Sequence, residues 1–173
     1  MSLPNLSQNN HSITSPETPD YNCIAWAAGE SDRWWWPNPA GHYFWPAGIA
    51  REETPESFRL AFESIGFEQC GGGDLEQGCE KVVLYCNQNV PTHMARQLPN
   101  GEWTSKLGQS FDISHQAPET VAGGIYGQVV MFFRKRSTNP APCDSRAIVM
   151  DGTAERPLFH ATGSTIRQGS NAS

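Results

Sequence analysis

The sequence lacks long apolar runs and clusters of positive charge. No segment approaches the roughly 18 consecutive apolar residues of a membrane-spanning helix, and the polar first thirty residues contain no apolar signal-peptide core. The net charge is -6 and the longest basic run is Arg134-Lys135-Arg136, whereas nucleic-acid binding requires a basic patch. These absences predict a cytoplasmic protein that binds neither a membrane nor nucleic acid, with export by a route other than Sec left open.

The cysteines are too few and too scattered for a disulfide framework or a zinc site. Their number is odd and no two are spaced as C-x-x-C. They are Cys23, Cys70, Cys79, Cys86 and Cys143. We expect mostly reduced thiols, and neither a metal nor another cofactor.

The length and composition predict one domain. A chain of 173 residues with 38% hydrophobic content supports a single core. Residues 1–19 form a polar lead-in, residues 20–136 the domain, and residues 137–173, rich in Ser, Thr, Gly, Pro and Asn, a flexible tail.

Cys23 lies at the start of a short predicted helix, with Asp20 as its N-cap and Gly29 as its end. Unpaired backbone N–H groups in a first helical turn favour a thiolate and are able to bind an oxyanion. The alternative is a cysteine packed in the core. Asn22 has two similar interpretations, an oxyanion-hole amide or a helix cap, and its position favours the cap.

Aromatic residues are concentrated just after this helix. Five of the six tryptophans lie between residues 26 and 45, and Trp26, Trp35 and Trp45 are the candidates for ligand contact. This loop either lines a binding groove or closes over the core. A helix is predicted next, from the N-cap Thr54 and Pro55 to Ile65, and buried strands are predicted at 81–86 and 128–134.

A hairpin between residues 93 and 108 determines which polar residues share a face. Pro99 cannot donate the hydrogen bond that a two-residue Asn100-Gly101 turn requires, so a three-residue loop with Gly101 in a left-handed bulge fits better. Residue numbers across the ladder then sum to 200. His93 and Ser105 share a face and Lys106 points the other way, whereas the alternative register exchanges Ser105 and Lys106.

Two further residues have open roles. Lys106 either contacts an anionic substrate or lies at the protein surface. His115 either folds back on the site or belongs to a turn ahead of a short helix that begins at Pro118.

Cys23, His93 and Ser105 together resemble the papain-like cysteine peptidase fold, and more closely its compact NlpC-type amidase branch. In that branch a cysteine opens the first core helix, a histidine opens a central strand, and a polar residue follows the histidine by twelve positions, as Ser105 follows His93 here. The resemblance implies an α+β fold in which an N-terminal, cysteine-bearing helix packs on a small antiparallel sheet. The run Asn22-Cys23-Ile24-Ala25 departs from the usual Asp-Cys-Ser-Gly, and Ser105 replaces the usual His, Asn or Gln.

Residues 12 to about 136 also resemble an uncharacterised bacterial domain family. The shared blocks are Tyr-Asn-Cys-Ile-Ala-Trp-Ala, Arg-Trp-Trp-Trp-Pro, Thr-His-x-Ala-Arg-Gln-Leu and Trp-Thr-Ser-Lys-Leu-Gly. This second resemblance implies no established activity.

The sequence thus leads to two functional hypotheses. In the first, the protein is a thiol-dependent hydrolase or acyl transferase of peptidase, amidase or deamidase type that acts on a peptide-like or protein substrate. Cys23 attacks the carbonyl, His93 moves the proton and Ser105 orients the imidazole. In the second, a non-catalytic domain binds a protein partner through its Trp-rich loop, and Cys23 is only packed.

Overall fold

Seven strands pair into one antiparallel sheet in the computed structural model, which describes residues 3–137. In chain order the elements are β1 (His11–Ile13), α1 (Cys23–Ala28), α2 (Pro55–Ser64), β2 (Glu68–Cys70), β3 (Cys79–Asn87), β4 (Val90–Gln97), β5 (Trp103–Lys106), β6 (Asp112–His115), a 3-10 helix (Pro118–Thr120) and β7 (Gln128–Arg136). The order across the sheet is β1-β6-β5-β4-β3-β7-β2. The strands β3 to β6 therefore form a meander, and β4 is the middle strand of the whole sheet.

This architecture is mainly β, so the predicted α+β papain-like fold is wrong. The described helices α1 and α2 have only six and ten residues, whereas the sheet has seven strands rather than a few. The resemblance depended on the order and spacing of Cys23, His93 and Ser105. A short helix ahead of a meander of strands reproduces that order without the papain-like fold.

The hairpin between β4 and β5 has the predicted register. Arg96 pairs with Thr104, and the Leu98 N–H donates to the Glu102 carbonyl at 2.7 Å. Gly101 has φ +90°, the left-handed conformation that the bulge position requires. The pairing predicted from the turn residues Pro99 and Gly101 is therefore confirmed.

The edges of the sheet come from segments that the composition did not mark as strands. Within residues 3–19, expected as a lead-in, His11 pairs with His115 and Ile13 with Ile113 in β1. At the other edge the three residues of β2 pair with β7. The expected tail, 137–173, lies outside the described residues apart from Ser137.

The helix face of the sheet is packed with aromatic rings. The helix α2 begins as predicted, since the Ser57 N–H donates to Thr54 Oγ1 at 3.2 Å and Pro55 is the first residue. Its stripe, with Phe58 and Phe62 fully buried, packs against the sheet, where the Phe62 ring lies 5.9 Å from that of Phe133 in β7. The strands predicted at 81–86 and 128–134 lie within β3 and β7. We call the buried rings Trp35, Trp45, Phe58, Phe62, Phe67 and Phe133 the aromatic core.

Alternation along the strands creates a second core on the opposite face. Leu84 and Met94 belong to the helix-face cluster, whereas Tyr85 and Ala95 belong to a cluster with Trp103 on the other side. His93 pairs with Tyr85 in the β3–β4 ladder. Its side chain therefore belongs to the face opposite the helices.

Candidate active site

Asn22 fixes the start of the cysteine-bearing helix. Its Oδ1 accepts the Ala25 N–H at 3.1 Å and the Trp35 N–H at 3.2 Å, while its Nδ2 donates to the Trp35 carbonyl at 2.8 Å. Asn22 is thus the N-cap, and the predicted cap at Asp20 was wrong because Asp20 lies outside the helix, where it accepts from Thr18. With its amide used internally, Asn22 caps α1 rather than forming an oxyanion hole.

Cys23 is the first residue of α1, and its thiol is shielded from water. Only 7% of the residue is exposed, and burial raises the pKa of the thiol to about 11. Backbone N–H groups of Cys23, Ile24 and Met94 act in the opposite direction but do not outweigh burial. The expectation that the helix start favours a thiolate was therefore wrong for the resting protein, because desolvation dominates.

His93 lies fully buried at the centre of the sheet. Its ring stacks on Tyr126 with the centroids 4.0 Å apart and planes 13° from parallel, and Tyr85 lies on another side at 5.3 Å. Burial lowers the pKa of the imidazole to about 3, and nearby His115 contributes in the same direction. The ring is therefore neutral at physiological pH.

A chain of hydrogen bonds leads away from His93 across β5 and β6. The His93 Nε2 lies 3.0 Å from Ser105 Oγ, which lies 2.9 Å from His115 Nε2. The His115 Nδ1 lies 2.8 Å from the Ala117 carbonyl oxygen. We call His93, Ser105, His115 and the Ala117 carbonyl the polar relay; every side chain in it is at most 1% exposed.

The other nitrogen of His93 has a different environment. The Nδ1 atom is buried and has no hydrogen-bond partner among the described residues. Buried polar atoms are nearly always paired, so an unpaired ring nitrogen calls for an explanation. This atom is the one free position on an otherwise satisfied relay.

Cys23 approaches this region from the helix face. Its sulfur is within reach of the Met94 N–H, the amide that follows His93, and its charge would raise the pKa of Tyr126, the ring stacked on His93. The structure contains no hydrogen bond between the Cys23 thiol and His93 Nδ1. The thiol and imidazole therefore come to one region without a hydrogen bond between them in the resting arrangement.

His115 lies in strand β6, not in the turn that the sequence suggested as an alternative. Leu107 and Phe111 close a three-residue loop, with the Leu107 N–H donating to the Phe111 carbonyl at 3.1 Å, so that His115 pairs with Trp103. The local signal for this loop is Gly108, its first residue, which takes the left-handed conformation at φ +61°. His115 does fold back, onto Ser105.

The candidate tryptophans are used in packing. The rings of Trp35 and Trp45 lie in the aromatic core, where their indole N–H groups donate to Glu30 at 2.7 Å and to the Ala50 carbonyl at 3.1 Å. Trp26 lies beneath the Arg96 guanidinium, 4.4 Å from its ring, and donates to Thr104 at 3.2 Å. The Trp-rich loop that follows α1 therefore closes over the aromatic core, on the face of the sheet opposite the polar relay.

Lys106 points away from His93, as the register predicted, but it is buried rather than at the surface. Its Nζ donates to the Ser110 carbonyl and lies 4.9 Å from the centre of the Tyr21 ring. Tyr21 in turn donates to Asp112 at 2.6 Å. With no part of it exposed, Lys106 is held inside the domain and burial lowers its pKa.

An apolar groove lies next to the candidate site. It has a volume of about 390 Å³ and is lined by Leu3, Leu6, Leu107, Ser110, Ile125 and Tyr126. Tyr126 thus forms a wall of the groove and also covers His93. The Thr92 hydroxyl donates to the Tyr126 carbonyl at 2.6 Å and so fixes the backbone at Tyr126.

Within residues 3–137, no group of three or more His, Cys, Asp or Glu side chains is arranged to hold a metal ion. No helix in the same range has the length and apolar character needed to cross a membrane.

Comparison with known proteins gives a match to a family model. Residues 12–134 match the family described as Domain of unknown function (DUF7689). No curated protein and no solved structure matches the chain. Because the match covers well over half of its length, the chain belongs to the DUF7689 family.

Proposed function

We propose that the protein is a thiol-dependent hydrolase or acyl transferase that acts on an amide or acyl carbonyl. The observation that carries this proposal is the buried Nδ1 of His93, which has no partner within residues 3–137, while the other ring nitrogen is held by Ser105. An unsatisfied buried polar atom costs stability, and holding a base ready for a proton is a reason to keep one. Cys23, with its sulfur near the Met94 amide, supplies that proton.

The proposed reaction proceeds in two stages. The Cys23 sulfur attacks the carbonyl carbon while His93 Nδ1 takes the thiol proton. His93 then returns this proton to the leaving amine or alcohol as the C–N or C–O bond breaks, which leaves an acyl thioester on Cys23. Water, or another nucleophile deprotonated by the same nitrogen, attacks the thioester and releases the free thiol.

The raised thiol pKa determines when the proton moves. With the Cys23 pKa at about 11 and the His93 pKa at about 3, a resting thiolate–imidazolium pair is unfavourable. Proton transfer therefore accompanies the attack, as in general-base catalysis by a serine hydrolase.

The surroundings favour a peptide-like or protein substrate. The groove beside Tyr126 is lined mainly by Leu3, Leu6, Leu107 and Ile125, which suits an apolar side chain or acyl group next to the reacting carbonyl. Because Tyr126 covers His93, its ring has to move for the substrate carbonyl to reach the thiol.

The test uses p-nitrophenyl acetate at pH 7 with intact-mass and peptide analysis. We expect a burst of p-nitrophenolate and one acetyl group on Cys23. His93→Gln is expected to slow acylation by at least about 100-fold, the low end of general-base assistance. Cys23→Ser is expected to abolish the burst.

Cys86 is a matched control because it is a second buried cysteine that has no part in the proposed reaction. It is 4% exposed, and burial raises its pKa to about 11, as for Cys23. If burial and pKa alone set reactivity, both cysteines would acetylate at the same rate, and the proposal would be overturned. We expect Cys86→Ala to keep the wild-type burst.

A non-catalytic interaction domain is the second candidate function. The observation that favours it is aromatic exposure in the Trp-rich loop, where Tyr43 is 41% and Phe44 36% exposed. Folded wild-type protein that never acetylates Cys23 ahead of Cys86 would favour this candidate over the enzyme.

A further inference from the structure

We infer that His115, acting through Ser105, sets the tautomer of His93 and so decides which of its nitrogens is basic. The polar relay ends at the Ala117 carbonyl, a group whose role in a hydrogen bond is known. A carbonyl oxygen only accepts hydrogen bonds, so the nitrogen that faces it, His115 Nδ1, carries the proton.

Each following bond takes its direction from the previous one. His115 is neutral because burial lowers its pKa, so a protonated Nδ1 leaves Nε2 as an acceptor. Ser105 has one hydroxyl proton and donates it to His115 Nε2 across 2.9 Å. The Ser105 oxygen then accepts from His93 Nε2–H across 3.0 Å.

The position of the proton on His93, at the other end of the relay, is therefore also determined. A neutral imidazole carries one proton, and with it on Nε2 the Nδ1 of His93 is a lone pair. This nitrogen is the buried atom that lacks a partner among the described residues. Three hydrogen bonds thus connect a backbone carbonyl in the loop after β6 to the basic atom of the proposed reaction.

Ser105 alone does not produce this result. A serine hydroxyl both donates and accepts, so without an acceptor at position 115 its proton is free to turn towards His93 Nε2. His93 would then shift its own proton to Nδ1 and lose the base on the side of Cys23. His115 is accordingly a positioning residue, and its importance for catalysis rests on the proposed function, whereas the tautomer itself does not.

The test reads tautomers directly from the long-range ¹H–¹⁵N correlations of ¹⁵N-histidine-labelled full-length protein at pH 7. In the wild type we expect His93 protonated on Nε2 and His115 on Nδ1. The His93 signals are assigned by their loss in His93→Phe. An Nδ1–H tautomer at His93 in the wild type would overturn the inference without any variant.

Two substitutions at position 115 distinguish the loss of the hydrogen-bond acceptor from a change in the shape of the side chain. His115→Gln keeps an oxygen able to accept from Ser105, and we expect it to keep the Nε2–H tautomer of His93. His115→Met has similar bulk without a strong acceptor, and we expect a shift of His93 towards Nδ1–H. An unchanged His93 tautomer in folded His115→Met would contradict the inference.

The acetylation assay then distinguishes this inference from the proposed function. If both hold, His115→Met lowers the rate constant of Cys23 acetylation by at least about 10-fold, as expected for an orienting partner, and His115→Gln restores most of it. The expected tautomers in a protein that never acetylates Cys23 overturn the proposed function alone. Fast acetylation with the His93 tautomer unchanged in His115→Met overturns this inference alone.

Discussion

The aromatic core and the polar relay lie on opposite faces of one sheet and are buried to the same degree, but they are stabilised by different interactions. In the aromatic core, Phe62 lies 6.3 Å or less from Trp35, Phe67 and Phe133, measured between ring centroids. In the relay, Ser105 is joined to two imidazoles by hydrogen bonds of 3.0 and 2.9 Å.

This difference indicates what each of the two clusters contributes. Apolar rings contribute to stability roughly in proportion to the area they bury, and a neighbouring ring can partly compensate for a change. A hydrogen-bonded polar chain contributes little net stability but becomes costly when one member is removed. The aromatic core therefore holds the domain together, and the relay holds one imidazole in a defined state.

The largest expected effect comes from truncating the aromatic core. Phe62→Ala is expected to lower the free energy of unfolding by about 3–5 kcal/mol, because it removes a fully buried ring and leaves a cavity. Urea denaturation measures the change. Phe44→Ala is the control, since its ring is 36% exposed, and a loss equal to that of Phe62→Ala would contradict the distinction.

Removing the central hydroxyl of the relay is expected to have the next largest effect. Ser105→Ala leaves two buried imidazole nitrogens without partners and should lower the free energy of unfolding by about 1–3 kcal/mol. Ser110→Ala removes an exposed hydrogen bond to Glu17 and is the matched control. Equal urea midpoints for the two variants would mean that the relay is not a buried network.

The smallest expected effect, counted per pH unit, is the contribution of His93 to the pH dependence of stability. Below about pH 6.5 the unfolded imidazole binds a proton, whereas the folded one does so only near pH 3. Unfolding therefore takes up a proton in this window, and stability falls as the pH falls, by at most about 1.4 kcal/mol per pH unit.

His93→Phe isolates this contribution because the ring remains able to stack on Tyr126. We expect its urea midpoint to fall less than that of the wild type between pH 7 and pH 4.5. His42→Asn, which changes an exposed histidine, should keep the wild-type slope. If His93→Phe also keeps that slope, His93 is not a neutral, buried base.

Local features of the sequence predicted the local structure well. Thr54 and Pro55 marked the start of α2, and Pro99 and Gly101 identified the three-residue loop that places Ser105 beside His93. In each case a few neighbouring residues restrict the backbone, so the interaction can be recognised without knowing the fold.

Features that depend on distant residues were predicted less well. Nothing in the polar segment around His11 indicates a strand, because β1 exists only through its pairing with β6. The ionisation of Cys23 was predicted in the wrong direction, since the helix start is local but burial beneath the rest of the domain is not. The fold class failed for a similar reason, because the order of three residues does not specify how strands pair.

The sequence by itself determined the start of α2, the register of the central hairpin and the shared face of His93 and Ser105, since these follow from backbone restrictions over a few residues. Only the tertiary structure decided that the fold is mainly β, that the thiol and imidazole are both neutral, and that His115 reaches Ser105. Strand pairing, desolvation and hydrogen bonds between strands each depend on residues far apart in the chain, which are brought together only by folding.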